Sequence, residues 1–347
     1  GLGVRILQDL VDPGIDPLGP ENVLVIATGP LAGSGLPVGS RYGVIAKSPL
    51  TGTLSSSNSG GKFGTSLKHA GYDAIVIHGR AEKPVYIHID DGEAWIRDAS
   101  DLWGMTTGEA TAALQKEMGD PALSVACIGP AGERLVRFAA IINETSRAAG
   151  RGGLGAVMGS KNLKAVTASG NSRITVADHD RFTALKREMA EKIRKNPISG
   201  EGLPGFGTAV LVNIINENYI LPTRNFQTAH FPAAEKVSGE RMAESILVGK
   251  MGCQGCIIRC GRDVEVEGKR TAGPEYETIW AFGPDCGIDD LAAVVEANNL
   301  CNDLGLDTIS TGSTIACAME LSERGYIQDE IRFGDAELML DLVQRIG

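Results

Sequence analysis

The sequence predicts an α+β protein in two parts. Residues 1–172 read as a glycine-rich β-sheet domain with an internal pseudo-twofold repeat, and residues 173–347 as an α-helical domain. Three observations carry this. Short β-branched runs alternate with glycines from Asn22 to Ser169, two stretches of that region repeat one another, and near Asn171–Asp178 the apolar period changes from that of strands to that of helices.

The predicted strands are Val23–Ala27, Tyr42–Ala46, Ala74–His78, Val85–Ile89, Ser124–Ile128 and Lys164–Ala168, and many of the chain's 45 glycines fall between them. The repeat pairs Gly29-Pro-Leu-Ala-Gly33 with Gly129-Pro-Ala-Gly132. A second glycine-rich segment follows each: Asn58-Ser-Gly-Gly-Lys-Phe-Gly64 with Lys68 in one copy, Arg147-Ala-Ala-Gly-Arg-Gly-Gly153 with Lys161 in the other. Glycine backbone lets N–H groups approach an anion closely, and helix N-termini favour one. Two such units point to a pseudo-twofold site for two similar phosphorylated groups; tight turns alone are the plainer reading.

Beyond Asp178 helical periodicity predicts helices over Asp180–Asn196 (stopped by Pro197), Thr208–Asn216, Glu240–Val248, Asp289–Leu304 and Thr314–Arg324, with Gly305 and Gly325 as stops. Residues 335–347 form a further amphipathic helix. Val4–Leu7 read as a helix end without a methionine ahead of it, so both ends of the chain look cut. The glycine-rich loop Gly202–Thr208 receives no chemistry from its spacing.

The densest chemical signal is Met251–Arg262, which packs Cys253, Cys256 and Cys260 into one turn-sized run. Short spacers let the backbone wrap an iron–sulfur cubane. Zinc is the rival, although it more often takes paired C-x2-C halves or histidines, and neither is nearby. Inert thiols are the third reading. Of the other cysteines, Cys127, Cys286, Cys301 and Cys317, none sits in a matching motif. Cys301 and Cys317 fall on apolar helix faces, where a thiol behaves as a small hydrophobe. A fourth cluster ligand is therefore expected outside this sequence.

Bulk properties narrow the function. The 347 residues suffice for two domains. A net charge of -10 argues against nucleic-acid or anionic-membrane surfaces, and no run approaches the roughly 18 apolar residues of a membrane span. Seven cysteines, an odd number with three clustered, fit metal ligation in a reducing compartment, so the expected location is cytoplasmic. The five histidines are dispersed and read as structural. Glu275 and Glu277 flank Tyr276 and offer a carboxylate for general acid–base work, with solvated loop acids as the plainer reading. Lys250, Arg259 and Arg262 read as a local basic face for an acidic electron carrier, or as ordinary surface charge.

Together, Arg41-Tyr-Gly-Val-Ile-Ala-Lys-Ser-Pro-Leu-Thr-Gly52, Asn58-Ser-Gly-Gly61, Ala70-Gly-Tyr-Asp-Ala-Ile-Val76, Arg147–Gly153, Met158-Gly-Ser-Lys-Asn-Leu-Lys164, the cysteine run and Gly305-Leu-Asp-Thr-Ile-Ser310 closely resemble the aldehyde:ferredoxin oxidoreductase family. The resemblance runs over essentially the whole chain and implies that the chain is truncated before a third domain. It implies a tungsten or molybdenum bis-pterin, a nearby 4Fe–4S cluster, and a Mg ion joining the pterin phosphates. It also implies oxidation of a small aldehyde to the acid, with ferredoxin as electron acceptor. By that resemblance Arg41, Asn58 and Gly60 serve one pterin, and Arg147, Ala148, Gly150 and Arg151 form the other half of the cradle. The carbonyls of Asn58 and Ala148 hold the Mg ion, a hard cation suited to oxygen ligands. Cys253, Cys256 and Cys260 bind the cluster, Asp307 and Asn302 contact the second pterin, Arg41 links pterin to cluster, and Glu277 matches a carboxylate near the metal.

Two departures stand out. The family's pterin motif often begins with Asp where this chain has Asn302. Some relatives carry Glu-x-x-His feeding an iron at a dimer interface, where this chain has Glu296 and Asn299; a homodimer without that iron, or partner subunits, remains compatible. Two alternatives stay open. One is a family member that reduces an aromatic acyl-CoA within a larger complex, and the other a non-catalytic iron–sulfur electron-transfer subunit.

Overall fold

The computed structural model describes residues 1–347. After helix α1 (Leu2–Leu10), strands β1 (Leu24–Thr28), β2 (Tyr42–Lys47), β3 (Leu54–Ser59) and β4 (Ala74–Ile77) form an antiparallel sheet in the order β3-β2-β1-β4, with helix α2 (Phe63–His69) between the last two. A second sheet contains β5 (Val85–Asp90), β6 (Glu93–Asp98), β7 (Ser124–Cys127), β8 (Ile141–Asn143), β9 (Arg147–Ala149) and β10 (Leu163–Ser169), in the order β6-β5-β10-β7-β8-β9. Its part β9-β8-β7-β10 reproduces the order and antiparallel sense of the first sheet, and helix α5 (Leu154–Ser160) stands where α2 does. The glycine repeat is thus a repeat of topology. Strands β5 and β6 are additions at the β10 edge, where β5 pairs in parallel.

All six predicted strands are present within a residue or two, and four more, β3, β6, β8 and β9, join them. Helix α3 (Thr107–Met118) begins at a capping box of Thr106 and Glu109 and ends at Gly119 in the left-handed region. The apolar faces of both sheets close on α2 and α5 through Leu24, Ile26, Val44, Phe63, Leu154 and Val166. Beside this core Lys164 of β10 is fully buried. It pairs with Glu133 of helix α4 (Pro130–Glu133) and donates to the Met105 carbonyl at 2.7 Å.

The second half contains α6 (His179–Lys195), α7 (Leu203–Phe206), α8 (Leu211–Glu217), α9 (Gly239–Ser245), α10 (Tyr276–Phe282), α11 (Leu291–Leu304), α12 (Thr308–Glu323) and α13 (Ala336–Ile346). It is not purely helical. The expected helix Glu240–Val248 ends at Ser245, and the chain enters an antiparallel sheet of β11 (Leu247–Met251), β12 (Gly261–Val266) and β13 (Lys269–Ala272). Helix α12 starts at Thr308, earlier than expected, because Asp307 caps it. The core of this half, with Ile279, Phe282, Val294, Ile315 and Met339, also takes in Ala131, Ala139 and Ala156 from the first.

One helical stretch, Ile198–Glu217, does reach the length and hydropathy of a membrane span, contrary to expectation. It breaks at Gly207, where φ is +67°, and the carbonyls of Leu203, Pro204 and Gly205 accept from the Arg262 guanidinium. A spanning helix needs its backbone groups paired within one continuous ladder.

The buried Lys164–Glu133 pair generates a stability prediction. Glu133→Ala leaves the ammonium buried without its counter-ion and costs about 3–5 kcal/mol in urea unfolding, whereas Glu133→Leu with Lys164→Met restores most of that.

Candidate functional site

Strands β3 and β9 are the outermost strands of their sheets, and the two edges meet. Ser57 Oγ of β3 accepts the Arg151 N–H at 3.2 Å, and Ser48 Oγ donates to the Gly152 carbonyl at 2.7 Å. Glycine is required at the crossing. Gly152 and Gly153 have φ of +85° and +71°, and an added Cβ would lie 2.0 Å from Ser55 Oγ in the first case and 2.0 Å from the Arg137 carbonyl in the second. Asn143 bridges the two copies: its Oδ1 accepts from Tyr42 Oη at 2.8 Å and Ser59 Oγ at 2.6 Å, and its Nδ2 donates to the Gly60 carbonyl at 3.0 Å.

Where the edges meet, a cleft of about 380 Å³ is lined by Asn58, Ala148, Gly150, Arg151, Asn302 and Asp307, six residues that the sequence reading assigns to the cofactor. The second half reaches the cleft through backbone bonds: Ala140 N–H donates to the Gly305 carbonyl, and Asp307 N–H to that of Phe138. Asp307 is 4% exposed. It accepts from Ile309 N–H, Ser310 N–H and Ser310 Oγ and pairs with Arg151 at 3.3 Å. Burial pushes its carboxyl above the usual range, and the Ser310 bond and Arg151 oppose this. Its role as helix cap thus accompanies any contact with a ligand.

The cysteine run is the loop of the β11–β12 hairpin, whose register pairs Met251 with Gly261. It docks on the cradle. Gln254 N–H donates to the Gly61 carbonyl at 3.0 Å, and a Cβ on Gly60 would lie 2.5 Å from Cys253 Sγ. Continuing the Tyr42–Ser59 register places Arg41 opposite Gly60; Arg41 is exposed. The three thiols are half-buried, and burial raises the Cys260 thiol, Glu275 adding to this and Arg147 opposing it. No three His, Cys, Asp or Glu side chains converge as the ligands of one ion would.

Two guanidinium groups attend the loop. Arg147, on β9, turns its side chain to the cysteines: a Cβ on Gly261 would lie 2.2 Å from it, and it pairs with Glu275 at 2.9 Å. Glu275 also accepts from Thr208 Oγ1 at 2.5 Å. Burial works against the Arg147 charge, and Glu275 with the Cys253 and Cys260 thiols outweighs it. Arg262 is 3% exposed and so is no part of a basic face, contrary to the sequence reading. Its guanidinium meets only carbonyls, those of Leu203, Pro204, Gly205 and Arg259, and its Nε has no partner. Burial works against the Arg262 charge, and the nearby Cys260 thiol and Glu275 carboxylate oppose this.

Other assignments shift. The α2 N-terminus does not face a ligand, since Lys62 N–H donates to the chain's own Glu144 at 2.9 Å. Glu277 is exposed on the first turn of α10; Trp280 Nε1 donates to its Oε2 at 2.5 Å, and its neighbour Thr278 bonds Thr308 at the cleft. Asn299 accepts from Thr271 and donates to Glu296, so the residue that stands in place of the histidine is engaged within the chain. Cys301 is buried, as expected of a small hydrophobe, but Cys317 is exposed; Cys127 and Cys286 are buried as well. The sequence offered one unused clue, the glycines of Gly202–Thr208: Gly207 packs against the Cys260 carbonyl and Thr208 holds Glu275.

Two family profiles match the chain: "Aldehyde ferredoxin oxidoreductase, N-terminal domain" over residues 1–170 and "Aldehyde ferredoxin oxidoreductase, domains 2 & 3" over residues 184–347. A tungsten-containing aldehyde ferredoxin oxidoreductase of Pyrococcus furiosus is 52% identical over all of this chain, as is one of Thermococcus kodakarensis. The chain spans 59% of the length of those relatives. Among solved structures, the active-site complex BamBC of benzoyl coenzyme A reductase matches with a TM-score of 0.83 at 28% identity, covering all of this chain and 58% of that one.

The contact between Gly60 and Cys253 makes a steric prediction. Gly60→Ala in the full-length protein drives a methyl group into the thiol. An unligated cysteine rotates away, but a cluster-bound one has no such freedom. Iron per chain therefore falls by more than half while the far-ultraviolet circular dichroism is unchanged.

Proposed function

The chain belongs to the aldehyde ferredoxin oxidoreductase family, and from that premise we propose that it is the cofactor-binding part of an enzyme that oxidises a small aldehyde to the carboxylic acid and passes electrons to ferredoxin. The observation that carries this reading is the cleft: six residues from three distant segments line it, and Gly60, two residues beyond the lining Asn58, packs against a cysteine of the cluster motif. In this reading residues 1–172 form the pterin-cradling unit and residues 173–347 the unit with the cysteines, in a cytoplasmic protein.

When bound, a tungsten or molybdenum bis-pterin supplies two-electron chemistry and a 4Fe–4S cluster a one-electron exit. The protein's part is seating, charge and proton handling. The edge strands β3 and β9 present backbone groups without ladder partners, which suits the hydrogen-bonding rim of a pterin, and pseudo-twofold-related Asn58 and Ala148 each offer a carbonyl to Mg. Arg151 and Arg41 meet phosphate charge. Cys253, Cys256 and Cys260 hold the cluster, with Arg147 and Arg262 offsetting its negative charge. Conversion of an aldehyde and water to an acid releases two protons and two electrons. Glu277 is assigned one of those protons at Oε1, because Trp280 occupies Oε2.

The match to the benzoyl coenzyme A reductase complex favours a second reading, reduction of an aromatic acyl-CoA beside partner subunits. The 52% identity to a tungsten-containing aldehyde ferredoxin oxidoreductase supports the first reading over it.

Metal analysis of the full-length protein tests the class. Tungsten or molybdenum near one per chain together with cluster iron is expected; iron alone would reduce it to an electron-transfer subunit. Aldehyde-dependent reduction of benzyl viologen, without turnover of an aromatic acyl-CoA, separates the two enzyme readings. Glu277→Gln is expected to lower kcat by about 10²–10⁴ with metal content intact; an unchanged kcat removes Glu277 from proton transfer.

A further inference from the structure

Helix α6 has 17 residues and buries none of them. Its acids are largely taken: Glu188 pairs with Lys192 at 2.6 Å and Glu191 with Lys195 at 3.8 Å, while Asp180 lies beside His179. Arg181, Lys186, Arg187 and Arg194 make no ion pair. A cleft of about 840 Å³ runs along this helix, with Lys186, Arg187 and Arg194 on one wall and Gly255 and Ile257 of the cysteine loop on the other. Gly35 joins the walls, since a Cβ on it would lie 3.0 Å from Lys186 Nζ, and one on Gly255 would lie 3.6 Å from Gly35 Cα. The Lys186 ammonium is therefore one residue's thickness from the segment between Cys253 and Cys256.

We propose that this cleft is the docking surface for a small acidic one-electron carrier of the ferredoxin class. The proposal rests on the aldehyde-oxidising reading and gives its electron exit a place. Charge complementarity selects the occupant. On a chain of net charge -10, an acidic protein is repelled by most of the surface and drawn to a wall of unpaired cations, which steers its approach and fixes its orientation. Ile257 and Phe182 supply an apolar centre inside that charged rim. Transient redox encounters use small interfaces, and a carrier seated in this cleft lies against the loop that carries the three clustered cysteines. Lys250 and Arg259 lie exposed on the same hairpin and extend the positive surface.

The test uses full-length holoenzyme with Lys186→Glu, Arg187→Glu and Arg194→Glu combined, and Lys186→Gln with Arg187→Gln as a milder second variant. With a purified acidic ferredoxin, kcat/KM is expected to fall about 10- to 100-fold and its dependence on ionic strength to flatten. Activity with benzyl viologen, a small cationic dye that needs no docking site, stays at the parent level. A binding titration of ferredoxin, which is independent of turnover, is expected to show at least tenfold weakening in the triple variant and a smaller loss in the double. Ferredoxin binding and kcat/KM within twofold of the parent overturn the proposal. Absence of aldehyde turnover in the parent with either acceptor overturns the enzymatic reading instead, and the binding titration still decides the docking surface.

Discussion

Strands β3 and β9 each end a sheet, and an exposed sheet edge carries backbone groups that must find partners. Here the two edges face one another through serine hydroxyls and glycine backbone, with Asn143 bridging from one copy of the repeat to the other. The space left between them is the cleft. Because the copies share one strand order, Asn58 and Ala148 arrive at equivalent places on the two edges. The pseudo-symmetry of the pocket follows from the topology.

A second layer depends on that first one. Gly60 lies just beyond the end of β3, and the absence of a side chain there lets Cys253 approach the cradle wall. Arg147 begins β9 and sends its guanidinium the other way, to the cysteine loop, where it pairs with Glu275, itself held by Thr208. Both edge strands thus connect cradle to loop, one by lacking a side chain and one by a long charged side chain. Arg262 closes the loop from beneath. Burying that guanidinium has a large desolvation cost, which four carbonyls and the nearby Cys260 and Glu275 side chains offset in part.

Much of this was legible in the sequence. The strands with β-branched runs were found, and so were the repeat and the residues that line the cleft. Strand β3 was not, because Leu54-Ser-Ser-Ser-Asn-Ser59 has little intrinsic preference for a strand and is held by its neighbour β2 and by the opposing edge. Strands β8 and β9, three residues each, fall below any periodic signal. Helix α12 was begun too late because the apolar pattern of Thr308–Thr311 is weak, and the cap at Asp307 determines the start. Arg262 was misread because a cation in a glycine-rich loop is ordinarily solvated; only the distant carbonyls of 203–205 reveal its burial. The partnership of Arg147 with Glu275 likewise has no local signature, being formed across 128 residues.

The span of these contacts has a temporal meaning. Thr107 bonds the Asn302 carbonyl across 195 residues, and Arg151 meets Asp307 across 156. Contacts so distant in sequence form late, after shorter loops have closed. During synthesis at about 5–20 residues per second, the paired sheets emerge roughly 7–30 s before Asp307 does. For that interval the nascent chain lacks the pocket lining that residues 302–309 supply. A ribosome-bound chaperone or an early-arriving ligand would therefore meet a half-built seat, and the order of assembly becomes as much a property of this sequence as its final shape.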